Sequence, residues 1–289
     1  MSIHQLNIYG MDKVDVAIER LRAFEPPEGY YLAFSGGKDS CVIKALADMA
    51  GVKYDAHYLN TGIDPPELVR FIKDWHPDVV IESPRDKDGK RVTMWSLIVK
   101  HKMPPTRTVR YCCAELKEVQ GKGRMQVTGV RWAESVKRKA KRHLYEEHTN
   151  SGQVKFTTDN MDDVEMVYTC QQNRKRVCNP IIDWSDEDIW QFIKEYDVPY
   201  CKLYDEGHKR LGCIGCPMSK NARRELEQYP KYKALYLRAF NEMLKQRGDN
   251  GIKSEWQTAE DVMEWWLNKG KLTSPMQDTL LADEEAEWQ

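Results

Sequence analysis
The six residues Ser35-Gly36-Gly37-Lys38-Asp39-Ser40 constrain this chain more than any other stretch. They stand between a short apolar run, Tyr30 to Phe34 (YYLAF), and a stretch of helical apolar spacing, Asp39 to Ala50 (DSCVIKALADMA). Two adjacent glycines let a backbone turn sharply and bring successive N–H groups to one anion. A helix that starts there aims its positive end at the same point. Lys38 adds a point charge, and Ser35 and Ser40 add hydroxyl donors. That set suits a pyrophosphate. It is not a Walker A loop, because the Gly-x-x-x-x-Gly-Lys-Ser/Thr spacing is absent. A plain Gly-Gly turn with a helix cap is the competing reading, and six matched residues at a strand-to-helix junction count against it.

The same alternation continues along the chain. Val14 to Phe24 reads as an amphipathic helix, Lys53 to Leu59 as a strand, and Pro65 to Trp75 as a helix opened by Pro-Pro-Glu. Val79 to Glu82 and Met125 to Val130 read as further strands, with helices near Met94 to Lys100 and Ala114 to Gln120 between them. Strands separated by helices predict a parallel sheet covered on both faces, with ligands at the carboxyl ends of the strands. The polar stretch Val136 to Asp163 is expected to be a mobile insertion, followed by a β-ribbon at Val164 to Val177. Ser185 caps a helix to about Tyr196, with acidic residues in its first turn. Tyr229 to Lys245 and Thr258 to Lys269 are helical, the latter opened by the pair Thr258 and Asp261 and burying Val262, Trp265 and Trp266. Trp256 joins them as core. No internal repeat is found, and the acidic tail Asp283 to Glu287 is expected to fray.

Composition narrows the class. The 289 residues carry 44 Lys+Arg against 45 Asp+Glu, a net charge of -1, which argues against a protein held to nucleic acid by bulk charge. Hydrophobic residues at 41% and charged residues at 31% fit a globular chain with a sizeable core. No apolar run reaches the ~20 residues of a membrane helix, and the amino end lacks the layout of a secretion signal. A cytoplasmic protein with no membrane partner is expected. There the eight cysteines would not persist as a disulfide framework. Cys41, Cys170, Cys178 and Cys201 are scattered and read as small buried hydrophobes. Cys112-Cys113 and the Cys-x-x-Cys of Cys213 and Cys216 are clustered and read as metal ligands or redox groups, meeting only if the carboxyl segment folds back. Four thiolates hold an iron–sulfur cube or a tetrahedral zinc. Spacing alone does not separate the two, although adjacent cysteines are awkward for a structural zinc.

The loop after a strand resembles that of the PP-loop ATP pyrophosphatases. Their adenine nucleotide α-hydrolase-like fold binds ATP and splits it between the α and β phosphates. Members include ATP sulfurylase small subunits, tRNA thiolation enzymes, DNA phosphorothioation enzymes and phosphoadenosine phosphosulfate (PAPS) reductases. Asn60-Thr61-Gly62 looks like the family's Asp-Thr-Gly, and Gly129-Val130-Arg131-Trp132-Ala133-Glu134-Ser135 looks like its Gly-x-Arg-x-x-Glu-Ser. Asn179 to Trp184 with the following helix, then Leu203-Tyr204-Asp205-Glu206-Gly207, resembles the reductase branch's P-x-x-x-W and LY-x-x-G run. The likeness covers about residues 30 to 218. It implies an α/β fold, a parallel sheet sandwiched by helices. The nucleotide domain would span 1–218, with the polar insertion at about 136–163, and 219–289 would form a helical extension. It also implies a nucleotide site of Ser35, Gly36, Gly37, Lys38, Asp39, Ser40, Thr61, Gly62, Gly129 and Arg131, with Lys38, Asp39 and Arg131 catalytic and Arg131 reaching a phosphate or sulfate. Glu134 has a weaker case, as a dipole partner in a first helical turn. Adenylyl-sulfate (APS) reductases carry the same cysteine set around a [4Fe-4S] cluster, so the resemblance implies that cofactor on Cys112, Cys113, Cys213 and Cys216. Lys117 would lean toward it or toward a phosphate, with Cys178 and Cys201 as reserve ligands.

Two departures shape the expected function. No cysteine follows Cys216, where such reductases have a nucleophilic thiol, so Cys170, Cys178 or Cys201 would have to substitute. The SGGKDS wording is kept by ATP-splitting members and generally lost by reductases. The expected activity is therefore ATP-dependent adenylation, with Mg²⁺ bridging the phosphates and pyrophosphate leaving. A sulfur species carried by the cluster would then displace AMP in sulfur incorporation, as in the phosphorothioation relatives. A sulfur or electron donor protein would be the partner. A PAPS or APS reductase forming sulfite is the enzymatic alternative. The alternative of another class is a nucleic-acid-binding module on a degenerate nucleotide domain, resting on Lys137-Arg138-Lys139-Ala140-Lys141-Arg142 and Asn173-Arg174-Lys175-Arg176.

Overall fold
A computed structural model describes residues 2–117, 121, 123–149, 152–156 and 175–268. Its strands are β1 (Tyr30–Ala33), β2 (Tyr54–Leu59), β3 (Val80–Glu82), β4 (Met125–Val127), β5 (Tyr145–Thr149), β6 (Gly152–Phe156) and β7 (Lys175–Cys178). The helices are α1 (Lys13–Ala23), α2 (Lys38–Ala50), α3 (Pro66–Trp75), α4 (Met94–His101), α5 (Tyr111–Leu116) and α6 (Val136–Lys141), then α7 (Asp186–Glu195), α8 (Ala222–Gln228), α9 (Pro230–Asp249) and α10 (Ala259–Leu267). Local chemistry explains their starts. Asp12, Ser185 and Thr258 each close a capping box with an acidic residue three positions on, which satisfies the orphan N–H groups of α1, α7 and α10.

The strands form one sheet in the order β3-β2-β1-β4-β7-β5-β6. The run from β3 to β7 is parallel, whereas β5 and β6 join antiparallel at the β7 edge. In β1, Tyr30, Tyr31 and Leu32 are all buried although they alternate in direction, so both faces of the central strand are covered. The fold is α/β, a mostly parallel sheet flanked by helices with a helical carboxyl-terminal region, as the alternation predicted. No helix among the described residues is long and apolar enough to cross a membrane.

The chain divides into two compact units, and the boundary is not the linear one expected at 218. The first unit comprises residues 1–60, 64–83 and 119–212; the second comprises 61–63, 84–118 and 213–289. The first is built on the sheet, around Leu32, Val42, Leu46, Ile181, Ile189 and Phe192. The second packs α4 against α9 and α9 against α10, around Leu97, Ile98, Tyr236, Phe240, Met243 and Trp266. Trp266 is in that core, as expected, and its indole donates to the Pro105 carbonyl at 2.7 Å; Trp265 and Trp256, also expected as core, are half-buried, pack against it and meet edge-on at 4.8 Å.

Of the segment expected to be a mobile polar insertion, 136–163, the described residues 142–147 are instead built into the first unit. Leu144 and Tyr145 are buried, and Tyr145 stacks on Phe24 at 5.4 Å. Glu146, also buried, accepts from Arg142 Nε at 2.6 Å, the His143 N–H at 3.0 Å and Asn179 Nδ2 at 3.3 Å. The charges of Arg138, Arg142 and Glu146 are consumed in pairs, so a count of charged residues misreads that part of the segment. Residues 157–163, most of the expected ribbon at 164–177, the ends of the helices expected at 114–120 and 258–269, and the acidic tail lie outside the described residues.

Candidate functional site
The phosphate loop joins β1 to α2 in the first unit. Gly36 has φ +72°, and a Cβ there would lie 2.7 Å from Ile72 Cδ1 and 2.8 Å from Leu68 Cδ1 of α3. The residue is glycine for both reasons, backbone sign and close packing. The Ser35 N–H donates to Ser40 Oγ at 3.2 Å, and the Ser40 hydroxyl donates to the Gly37 carbonyl at 2.8 Å. Gly37 precedes α2 with no side-chain cap on the helix's first N–H groups. One of them, on Lys38, donates to the Tyr204 hydroxyl at 3.0 Å. Gly129 lies beyond the carboxyl end of β4, where a Cβ would stand 2.9 Å from Asp39 Cβ and 3.0 Å from its carbonyl oxygen. That position brings the strand's end against the first turn of α2.

Two buried cations and two carboxylates meet here. Lys38 Nζ donates to Asp186 Oδ1 at 3.0 Å and Asp39 Oδ2 at 3.3 Å. The Arg131 side chain is 1% exposed. Its Nε donates to Asp39 Oδ1 at 2.7 Å, its Nη2 to Asp186 Oδ1 at 2.8 Å and its Nη1 to the Trp184 carbonyl at 3.2 Å. Burial raises the Asp186 carboxyl, but the hydrogen bonds and charges of Lys38 and Arg131 outweigh it and hold the group below the usual carboxylate range. Glu134 accepts from the Arg131 N–H at 3.1 Å and pairs with Arg138, a positioning role. Sequence reasoning brought Lys38, Asp39 and Arg131 to one place and missed Asp186 and Tyr204. Asp186 had carried only the signal of an acid in a first helical turn.

Both cysteine pairs lie in the second unit. Cys112 and Cys113 form the first turn of α5. Cys213 and Cys216 bracket a turn pinned on three sides. The Ile214 N–H donates to the Ile63 carbonyl at 2.8 Å, the Tyr236 hydroxyl to the Ile214 carbonyl at 3.0 Å, and the Gly215 N–H to Glu225 Oε2 at 3.0 Å. The Cys112 thiol is pushed up by its hydrogen bond with Cys113, by burial, and by the charges of Cys113, Cys213 and Cys216, so all four sulfurs share one electrostatic neighbourhood. Cys113 is drawn down to about 5. The bond from Cys112 is the largest cause and outweighs burial, helped by Arg110, whose Nη2 is 3.3 Å from the sulfur, and by Lys117. Thiols are by chemistry ligands for iron or zinc; here Cys112 is buried and Cys113, Cys213 and Cys216 are half-buried. Among the described residues no group of three or more Cys, His, Asp or Glu is arranged to hold a metal ion. Thr61 and Gly62 also belong to this unit; a Cβ on Gly62, φ +78°, would stand 3.5 Å from Arg91 Nη2. Cys178 and Cys201 are buried in the core of the first unit, and Cys170 lies outside the described residues.

The chain is 29% identical over 241 residues to an uncharacterized protein of Methanocaldococcus jannaschii, an alignment covering 79% of this chain and 51% of that one. A second uncharacterized protein of that organism is 24% identical, with 83% and 44% covered. The chain thus spans about half the length of these curated relatives. A 41-residue stretch is 44% identical to the adenosine 5'-phosphosulfate reductase of Oceanobacillus iheyensis, covering 14% of this chain and 17% of that protein. Among solved structures, a phosphoadenylyl-sulfate reductase from Candida auris aligns with a TM-score of 0.43 at 18% identity, covering 68% of this chain and 87% of that one. The FMN adenylyltransferase of Candida glabrata aligns at 0.42 and 14%, covering 74% and 71%. The phosphoadenosine phosphosulfate reductase domain matches residues 29–219, well over half of the sequence, and the chain belongs to that family.

Proposed function
We propose that this chain is an ATP-using member of the PAPS reductase family that adenylates an acceptor in sulfur transfer. The carrying observation is the junction of β1 and α2: a left-handed Gly36, an uncapped helix start, and the buried cations Lys38 and Arg131 at one point. Such a site neutralises charge on a triphosphate and orients it, which is most of what phosphoryl transfer requires. An acceptor oxygen attacks the α-phosphorus of Mg²⁺-bound ATP, the bond to the β-phosphate breaks, and pyrophosphate leaves. A sulfur nucleophile from a donor protein then displaces AMP. Asp39 keeps Lys38 and Arg131 aimed, since it accepts from both. Cys112, Cys113, Cys213 and Cys216 would hold a [4Fe-4S] cluster, which supplies electron or sulfur chemistry when bound.

Exchange of labelled pyrophosphate into ATP, abolished by Lys38→Ala, is the expected result. Sulfite released from adenylyl sulfate with thioredoxin, without exchange, would establish the reductase alternative instead. Anaerobic purification should yield iron and acid-labile sulfide; colourless protein with stoichiometric zinc would remove the cluster.

A nucleic acid as the acceptor is favoured by one observation. Lys137, Lys139, Lys209 and Arg210 are exposed and make no ion pair among the described residues. Nearby, Arg138 is pushed down to about 10 by burial and by the charges of Arg210 and Arg142. Not all of the basic runs contribute, because Arg142 pairs with Glu146 and Arg176 with Glu28, while Asn173 and Arg174 lie outside the described residues. Oligonucleotide binding that weakens steeply with added salt is expected. Salt-independent binding would remove this reading and leave the adenylating one intact.

A further inference from the structure
The buried cations of the phosphate loop already hold an anion, and it belongs to the chain itself. Asp186 Oδ1 accepts from Lys38 Nζ at 3.0 Å and from Arg131 Nη2 at 2.8 Å, while the Asp186 side chain remains 62% exposed. Lys38 and Arg131 are 7% and 1% exposed. We infer that Asp186 stands in for a nucleotide phosphate between Lys38 and Arg131, and that incoming phosphate must displace it, so this residue sets how tightly the site takes its ligand. The inference rests on the reading of Ser35 to Ser40 as a phosphate loop.

Three features separate Asp186 from a merely structural partner. Both cations keep their places without it, since Asp39 accepts from each and the Trp184 carbonyl holds the third donor group of Arg131. The start of α7 does not depend on it, because Ser185 accepts from the Asp188 N–H at 3.1 Å and Asp188 returns a bond to the Ser185 N–H at 2.7 Å. Of the four charged side chains it is the most exposed, so it is the one that water can solvate with little change. Lys38 and Arg131 cannot follow it outward. Two buried cations sharing Asp39 as their one remaining anion carry uncompensated charge, which is why a second carboxylate occupies the place and why a phosphate, with more oxygens and more charge, replaces it.

Calorimetry on the full chain tests this, with metal-free pyrophosphate and then Mg²⁺–ATP as the probes. Asp186→Asn should bind pyrophosphate about tenfold more tightly, near the lower end of what a charge-assisted hydrogen bond contributes. Asp186→Glu should return the affinity to the wild-type value, a rescue that a packing role would not produce. Lys38→Met should abolish binding in either background. Unchanged or weaker pyrophosphate binding by Asp186→Asn overturns the inference. So does a loss confined to Mg²⁺–ATP, which would make Asp186 a metal ligand. If wild type and Lys38→Met alike fail to bind either probe, the phosphate-loop reading has failed as well, and that outcome is distinct from the others.

Discussion
At the scale of single residues, Gly36 and Arg131 hold the loop in different ways. Gly36→Ala forces a Cβ into the left-handed region and to within 2.7 Å of Ile72, whose helix carries the packing on that side. A destabilisation of about 2–4 kcal/mol is expected from the strain and overlap together, read as a lowered urea midpoint; a loss under ~0.5 kcal/mol would show that the bend tolerates a side chain. Arg131→Lys keeps the charge and loses the fork. One ammonium cannot reach Asp39, Asp186 and the Trp184 carbonyl at once, so a loss of about 2–4 kcal/mol is expected, with weaker pyrophosphate binding. Lys38, Asp39 and the glycines were legible because their chemistry is local: a bend, a helix start and a charge within six residues. Asp186 was not. It lies 148 positions from Lys38, and an acid in a first turn looks the same whether it complements a dipole or fills an anion site.

At the scale of elements, the helices were read from the 3.6-residue period and their caps, while residues 142–147 of the expected insertion at 136–163 were misread. Its burial runs through one short stretch, Leu144 and Tyr145, between charged neighbours, so no period rises above the noise. Tyr145→Ala separates the two descriptions. A loose insertion would tolerate it, whereas a ring stacked on Phe24 in a core should cost about 3–5 kcal/mol in chemical denaturation. The amino-terminal segment is docked by a titratable contact. Ile3 is buried, and His4 bridges Asp12 at 2.6 Å and Glu195 of α7 at 2.7 Å. The hydrogen bond with Glu195, then that with Asp12, raises the His4 pKa above its ordinary 6.5. A raised histidine stabilises the fold below its unfolded value and loses that contribution as pH climbs through the folded one. Amide exchange at residues 3–12 should therefore be faster at pH 8.5 than at pH 6 after correction for intrinsic rates. That difference should shrink in His4→Gln; an equal pH response in both proteins would place the cause elsewhere.

At the scale of the whole molecule, the reading of one nucleotide domain followed by a helical extension met a chain that crosses between units several times. The apolar face of α4 carries the same spacing as a helix destined for a sheet, and nothing local marks it as the partner of α9, more than a hundred residues on. The same crossing puts Cys112, Cys113, Cys213 and Cys216 in the second unit. A cut after Met218 tests this arrangement. If residues 219–289 were an appendage, the fragment 1–218 would remain a folded monomer. In the arrangement described, the cut strips Tyr236, Phe240, Met243 and Trp266 from Ile63, Met94, Leu97, Ile98 and Leu116. Each large apolar side chain returned to water forfeits about 1.5–3 kcal/mol, and five of them together match the whole stability of an ordinary domain. Residues 84–118 should then be cleaved first in limited proteolysis, with dye-binding apolar surface exposed, while peptides from 30–60 stay protected by the sheet. Protection of 84–118 in a monomeric fragment would show that α9 and α10 are dispensable and that the second unit is not a core of its own.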